Sequence, residues 1–160
     1  MLFPLRNRPE LSYKEGGREF GAWRPEGRLH AACDLVDEPG TEVLAMADGV
    51  VIEGPYFFYS GTYALEVRND DGSVIRYTEI EQIVPRGIRT GARVSRGQVI
   101  AAIGLNECGT SMLHLEMYSG EASGPLTTGA GPYRRRRDLI DPTPFLDEAE
   151  MLGAGVEPTG

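Results

Sequence analysis

Short apolar stretches cut by glycine turns dominate the middle of this chain and limit what it can fold into. Gly40-Thr41-Glu42-Val43-Leu44-Ala45-Met46-Ala47-Asp48-Gly49-Val50-Val51 reads as strand, turn at Asp48-Gly49, and strand. Thr62–Val67 alternates with period two, Asn69-Asp70-Asp71-Gly72 turns the chain, and Ser73–Ile80 answers it. Gly91–Gly104 repeats the pattern around a turn at Arg96-Gly97. Strands this short, joined by turns rather than helices, predict an all-β antiparallel sheet protein. The 160 residues suffice for one domain with a real core.

The chain has two histidines, and each lies in a segment that reads as half of a metal site. One segment is Arg28-Leu29-His30-Ala31-Ala32-Cys33-Asp34, an H-x-x-x-D; the other is Ser111-Met112-Leu113-His114-Leu115-Glu116-Met117. Two imidazoles and a carboxylate suit zinc, and a catalytic zinc needs three protein ligands and an open position. His30, Asp34 and His114 make up such a set. The plainer reading, taken for either histidine alone, is a satisfied polar residue in a sheet. Four residues of straight strand span about 13 Å, too far for His30 and Asp34 to share an ion. The chain must therefore bend at Ala31-Ala32 before a strand starts at Cys33-Asp34.

H-x-x-x-D, G-T-x-V-x-A-x-x-D-G-x-V, a hairpin strand ending at Tyr77, G-x-x-V-x-x-G-Q-x-I-x-x-x-G and L-H-L-E follow one another over residues 28 to 118. In this order they resemble the lysostaphin-type, LytM-like zinc metallopeptidases. The resemblance implies two antiparallel sheets with a short C-terminal helix beside them, and a narrow groove with Zn2+ at its floor. It also implies hydrolysis of the peptide cross-links of bacterial peptidoglycan, with peptidoglycan peptide stems as the partner. His30, Asp34 and His114 fall on the family's ligand positions. Two assisting histidines do not carry over: the hairpin strand ends Tyr77-Thr78-Glu79-Ile80, with Glu79 at one such position, and Met112 stands at the other.

Glu79 then replaces histidine as general base, as a glutamate beside zinc does in other metalloproteases. Methionine donates no strong hydrogen bond, so oxyanion stabilisation falls to Tyr77, Tyr63 or a backbone N–H, or is absent. Strand parity puts Tyr77 beside Glu79, and Met112 beside His114, on the groove face. The alternatives are a solvated carboxylate for Glu79 and a core residue for Met112. Two function classes follow: a zinc endopeptidase, or a weak or inactive zinc-binding homologue that binds peptidoglycan or regulates another hydrolase. Retention of all three ligand positions favours the enzyme.

A formal net charge of -8 argues against a nucleic-acid partner. The arginine run Arg134–Arg137 reads as an ion-paired loop with Asp138 and Asp141 at hand, or less simply as an anion grip. No stretch is apolar enough to span a membrane, and Met1–Pro9 lacks a signal-peptide core. The expected site of action is periplasmic or extracellular, reached by a leader outside this sequence, as a module of a longer protein, or by leaderless delivery. Cys33 and Cys108 border the two ligand segments, so a disulfide between them is possible. The other readings are two free thiols, or Cys33 as an extra ligand, which parity disfavours because Cys33 should point away from Asp34.

Residues 1–27 read as an irregular arm, anchored by Phe20 and Trp23, that walls the groove; 28–118 as the peptidase core. Residues 119–152 read as a glycine-rich loop, the arginine run and a short helix. Thr143 suits the N-cap of that helix, Pro144 its first position and Gly153 its end. Residues 153–160 read as a disordered tail.

Overall fold

The computed structural model describes residues 1–153; the expected tail lies, from residue 154 on, outside the described residues. The strands are β1 (Cys33–Val36), β2 (Glu42–Leu44), β3 (Gly49–Tyr59), β4 (Thr62–Asn69), β5 (Val74–Ile80), β6 (Arg93–Val94), β7 (Val99–Ala102), β8 (Met112–Tyr118) and β9 (Leu139–Ile140). One short helix, α1 (Thr143–Glu148), follows. The large sheet runs β1-β8-β5-β4-β3-β6, with β9 added to β8, and β2 pairs with β7 in a second small sheet. All strand pairs are antiparallel. The expected all-β fold of two antiparallel sheets with a short C-terminal helix is what the chain forms.

The glycine turns play two different parts. Asn69–Gly72 closes a true hairpin between β4 and β5. Asp48-Gly49 and Arg96-Gly97 instead carry the chain between sheets: β2 and β7 lie in the small sheet, β3 and β6 in the large one. One face of the large sheet buries Leu35, Val51, Leu65, Ile75, Tyr77, Leu113, Leu115 and Met117 in a single core with Val43 and Ile100 of the small sheet. Each such side chain contributes about 1.5–3 kcal/mol on leaving water. The opposite face carries the polar residues.

The flanks complete this core. Phe3 and Leu5 of the N-terminal arm and Leu146 of α1 are fully buried in it, and Leu2 bridges to Glu150. Phe20 packs on the core and stacks on Tyr133 at 4.9 Å. Trp23 does not anchor the arm, since it is 80% exposed; Phe3 and Leu5 do that work. Helix α1 begins one residue earlier in the capping frame than expected. Pro142 is the N-cap, and the Asp141 carboxylate accepts the Thr143 N–H at 2.9 Å. The Thr143 hydroxyl is thereby released to contact Cys33 Sγ at 3.4 Å. The helix ends at Glu148, well before Gly153, because Glu150 is drawn into its bridge with Leu2.

A candidate metal centre in an arginine- and aromatic-lined groove

On the polar face, strand register assembles the site. Asp34 of β1 lies opposite His114 of β8, which lies opposite Thr78 of β5. His30 enters from the loop before β1, where its backbone N–H donates to Ala22 O and its carbonyl accepts from Gly21, both at 2.8 Å. The chain thus bends between His30 and Asp34. A donor atom from each of His30, Asp34 and His114 falls within 4.8 Å of the others. Met112 and His114 both line the groove, as strand parity requires.

The outer nitrogens of both imidazoles are committed. His30 Nδ1–H donates to Glu19 O at 2.8 Å, and His114 Nε2–H donates to Glu116 Oε2 at 3.0 Å. The inner nitrogens, His30 Nε2 and His114 Nδ1, both face Asp34 Oδ1 at 3.1 and 2.9 Å. In the neutral rings these are lone pairs aimed at a carboxylate, an arrangement that calls for a cation between them. The donor set therefore fits a tetrahedral-type ion such as zinc with one position left open. Without an ion the proton serves instead. Burial alone would lower the His114 pKa, but the Asp34 and Glu116 carboxylates hold it up at about 9. Burial would raise Asp34, and its bonds to the two histidines outweigh that and hold it well below the carboxylate range.

Behind His114 lies a buried charge network. Glu116 Oε1 accepts from Arg76 Nη2 at 2.7 Å and from Tyr118 Oη at 2.5 Å, and Arg135 spans both carboxylate oxygens at 3.1–3.2 Å. These partners overcome the burial that would raise Glu116 and hold its pKa far down. Arg135 is thus the member of the arginine run that reaches the site. Arg136 pairs with Asp138 at 2.7 Å, as the ion-paired reading expects, whereas Asp141 accepts the Thr143 N–H instead.

Glu79 sits in the same groove, 7% exposed. The reason is a β-bulge: Ala64 pairs with Thr78, but Tyr63 pairs with Ile80, so Glu79 is an extra residue in β5. Its φ of 61° is rare for a residue with a Cβ. Its carbonyl is held by Gly104 N–H at 2.9 Å. Burial raises the Glu79 pKa, with the His114 charge opposing, and Asn106 Nδ2 approaches its Oε1 at 3.4 Å.

The bulge also breaks the parity on which Tyr77 was placed. Tyr77 does not face the groove. It is fully buried on the core face, where its hydroxyl accepts the Met46 N–H at 2.9 Å. Burial also raises its pKa. Tyr63 likewise packs toward the core and edge-on against Phe57. Neither tyrosine supplies a donor to the groove.

The two cysteines do not form the disulfide considered above. Both are free, because Cys33 points into the core as the strand neighbour of Asp34 must, while Cys108 is exposed on the groove rim. The groove itself encloses about 720 Å3. Its walls are Arg24 and Pro25 of the N-terminal arm, Arg28 just after it, Tyr56–Tyr59 of β3, and the loop bearing Asn106 and Cys108. Sequence reasoning missed Glu116, Asn106 and Arg24, and it singled out Arg135 only as one of the arginine run. Glu116 carried a signal, being two residues from His114 on the same strand face.

Among solved structures the fold is similar to the catalytic domain of lysostaphin, an antimicrobial peptidase from Staphylococcus simulans. The TM-score is 0.63 at 22% identity, over 82% of this chain and 90% of that one; of a longer lysostaphin chain this one spans 60%. It is similar to LytU (TM-score 0.60, 23% identity, 88% of this chain and 92% of that one). A zinc-containing peptidase from Vibrio cholerae matches at TM-score 0.55 and 24% identity, over 77% of this chain and 40% of that one. No curated relative matches. The sequence profile of peptidase family M23 matches residues 28–125, which is more than half of the chain and holds every donor of the centre, and the chain belongs to that family.

Proposed function

We propose that this protein is a zinc-dependent endopeptidase that cleaves the peptide cross-links of bacterial peptidoglycan, acting outside the cytoplasmic membrane on peptide stems. The observation that carries the reading is the convergence of His30, Asp34 and His114 in an open groove, with the outer N–H of each imidazole already held. These three residues would hold the zinc. When bound, it supplies Lewis acidity toward the scissile carbonyl and the attacking water.

The chain's own residues supply the rest. Asp34 and Glu116 orient the His114 ring from its two sides. Glu79 serves as general base: its buried carboxylate has a raised pKa, and it lies close enough to His114 and Asp34 to feel both charges. An Oε of Glu79 would take a proton from the attacking water and pass it to the leaving amine nitrogen. Asn106 steadies that carboxylate. The aromatic wall Tyr56–Tyr59 offers apolar surface to the substrate chain.

A second reading has one specific support. Neither groove position expected to carry an assisting histidine has one, since Glu79 and Met112 stand there. In that case the protein binds zinc and peptidoglycan, or regulates another hydrolase, without cleaving. Elemental analysis and release of soluble muropeptides from purified sacculi separate the two. The enzyme reading expects one zinc per chain, lost in His114→Ala, together with cleavage. Zinc without cleavage of any cross-linked peptide supports the second reading, and full zinc retention in His114→Ala overturns the ligand set. Glu79→Gln keeps size and polarity but removes the base. It is expected to bind zinc normally and to lose cleavage by about a hundred- to ten-thousandfold.

A further inference from the structure

The catalytic reading leaves one role empty. As the scissile carbonyl opens, its oxygen gains negative charge and needs a hydrogen-bond donor. Several donors facing the groove are already used, whereas Arg28, Tyr59 and Tyr133 line it with side-chain donors that are unengaged among the described residues but make no ion pair with a metal-ligand candidate. The N–H groups outside the His30 and His114 lone pairs go to Glu19 O and Glu116. Arg76 and Arg135 both bind Glu116. Tyr56 donates to Glu66, and Asn106 Nδ2 serves Thr110 and Glu79. Met112 offers nothing, and Tyr77 lies in the core.

Arg24 differs. It comes from the N-terminal arm, lines the groove, and brings Nη2 to 3.7 Å from Asp34 Oδ2, against the metal-ligand cluster. Of the five N–H groups of its guanidinium, one is taken by Gly17 O at 2.8 Å and one by Trp23 O at 3.2 Å. The others make no hydrogen bond among the described residues, and Nη2 meets Asp34 only as an ion pair at 3.7 Å. Those two carbonyl bonds hold Nη1 and Nη2 in place at the groove wall, with Nη2 beside Asp34. A fixed cation with spare donors costs little reorganisation when charge develops beside it.

We propose that Arg24 is a catalytic residue that donates to the carbonyl oxygen of the scissile amide as that oxygen becomes anionic, filling the role for which Met112 and Glu79 provide no donor. The assignment rests on the peptidase reading above and makes the arm before the family-matched residues 28–125 part of the reaction centre.

The test compares zinc-loaded wild type, Arg24→Ala and Arg24→Lys. It uses cleavage of a synthetic cross-linked stem peptide, binding of a phosphinate analogue of that peptide, and zinc content. Thermal unfolding shows that each variant is folded. Arg24→Ala is expected to keep one zinc per chain and a similar KM, and to lose kcat by about a hundred- to a thousandfold. Its affinity for the phosphinate should fall in proportion. Arg24→Lys, with the charge but not the fork, should fall between the two. Added guanidinium at millimolar concentration should restore part of the activity of Arg24→Ala and none of that of Glu79→Gln.

Phosphinate affinity equal to wild type in folded, zinc-loaded Arg24→Ala would overturn the role. So would tighter zinc binding with undiminished cleavage, since Arg24 would then be only a cation competing for Asp34. Wild type that binds zinc and phosphinate but cleaves nothing overturns the peptidase reading alone, because the phosphinate comparison still reports on Arg24.

Discussion

At the residue scale, the charge behind His114 makes two side chains separable by experiment. Glu116 is fully buried and accepts the His114 Nε2–H, so it selects the ring tautomer that turns Nδ1 toward Asp34. Glu116→Gln would keep the shape but offer one acceptor oxygen to a set of donors that includes two guanidinium groups. Zinc affinity, read by competition with a chelator, is expected to fall about ten- to a hundredfold; unchanged affinity would show that Glu116 serves only the arginines. Tyr77 is the counter-case. Tyr77→Phe removes the acceptor of the buried Met46 N–H and is expected to cost about 1–3 kcal/mol in denaturant unfolding. Zinc content and cleavage should stay at the wild-type level, because the ring lies under the sheet and not in the groove. The same reasoning explains why the tyrosine was misplaced from sequence: parity holds only along a regular strand.

At the element scale, the feature that matters most is the bulge in β5. One extra residue leaves Ile80 in the core and aims Glu79 into the groove, at the cost of a φ of 61°. The loop after β7 holds this shape through Gly104. A Cβ there would stand 3.1 Å from Ile80 backbone atoms and 3.2 Å from Glu79 O. Gly104→Ala must therefore push the bulge aside, which overpacking data put at about 1–3 kcal/mol. Its cleavage should drop more than its zinc content, because the displaced group is Glu79 and not a ligand. Equal loss of both would mean that the bulge supports the whole sheet. The strand pair β1–β8 does the complementary work: a direct Asp34–His114 register sets two ligands side by side without any loop having to be ordered.

At the scale of the whole molecule, the sheet separates a dry side from a reactive one, and the two cysteines report on that division. Burial pushes the Cys33 thiol up to about 11 and shields it in the core, whereas Cys108 is exposed on the groove rim. The thiolate is the reactive form. At pH 8 the native protein is expected to take up one alkylating group per chain by mass spectrometry, none after Cys108→Ser, and two only when unfolded. Two groups on the native wild type would mean that the core opens at β1. The N-terminal arm belongs to both sides, with Phe3 and Leu5 in the core and Arg24 against the ligands. No helix among the described residues is long and apolar enough to cross a membrane.

What the sequence determined by itself was whatever rests on local period and short spacing. The alternating strands, the Asn69–Gly72 hairpin, the pairing of His30 with Asp34 through a bend, and the shared face of Met112 and His114 were all legible, because neighbouring residues impose them through backbone geometry. Tertiary structure decided the rest. Glu79 faces the groove and Tyr77 does not because a single bulge shifts the register, and no local pattern marks where a strand takes in an extra residue. Arg24 and Arg135 reach the centre from segments about ninety residues before and some twenty after His114, carried there by how the arm and the β8–β9 loop pack. Those contacts depend on shape and charge across the fold, for which adjacent residues leave no trace.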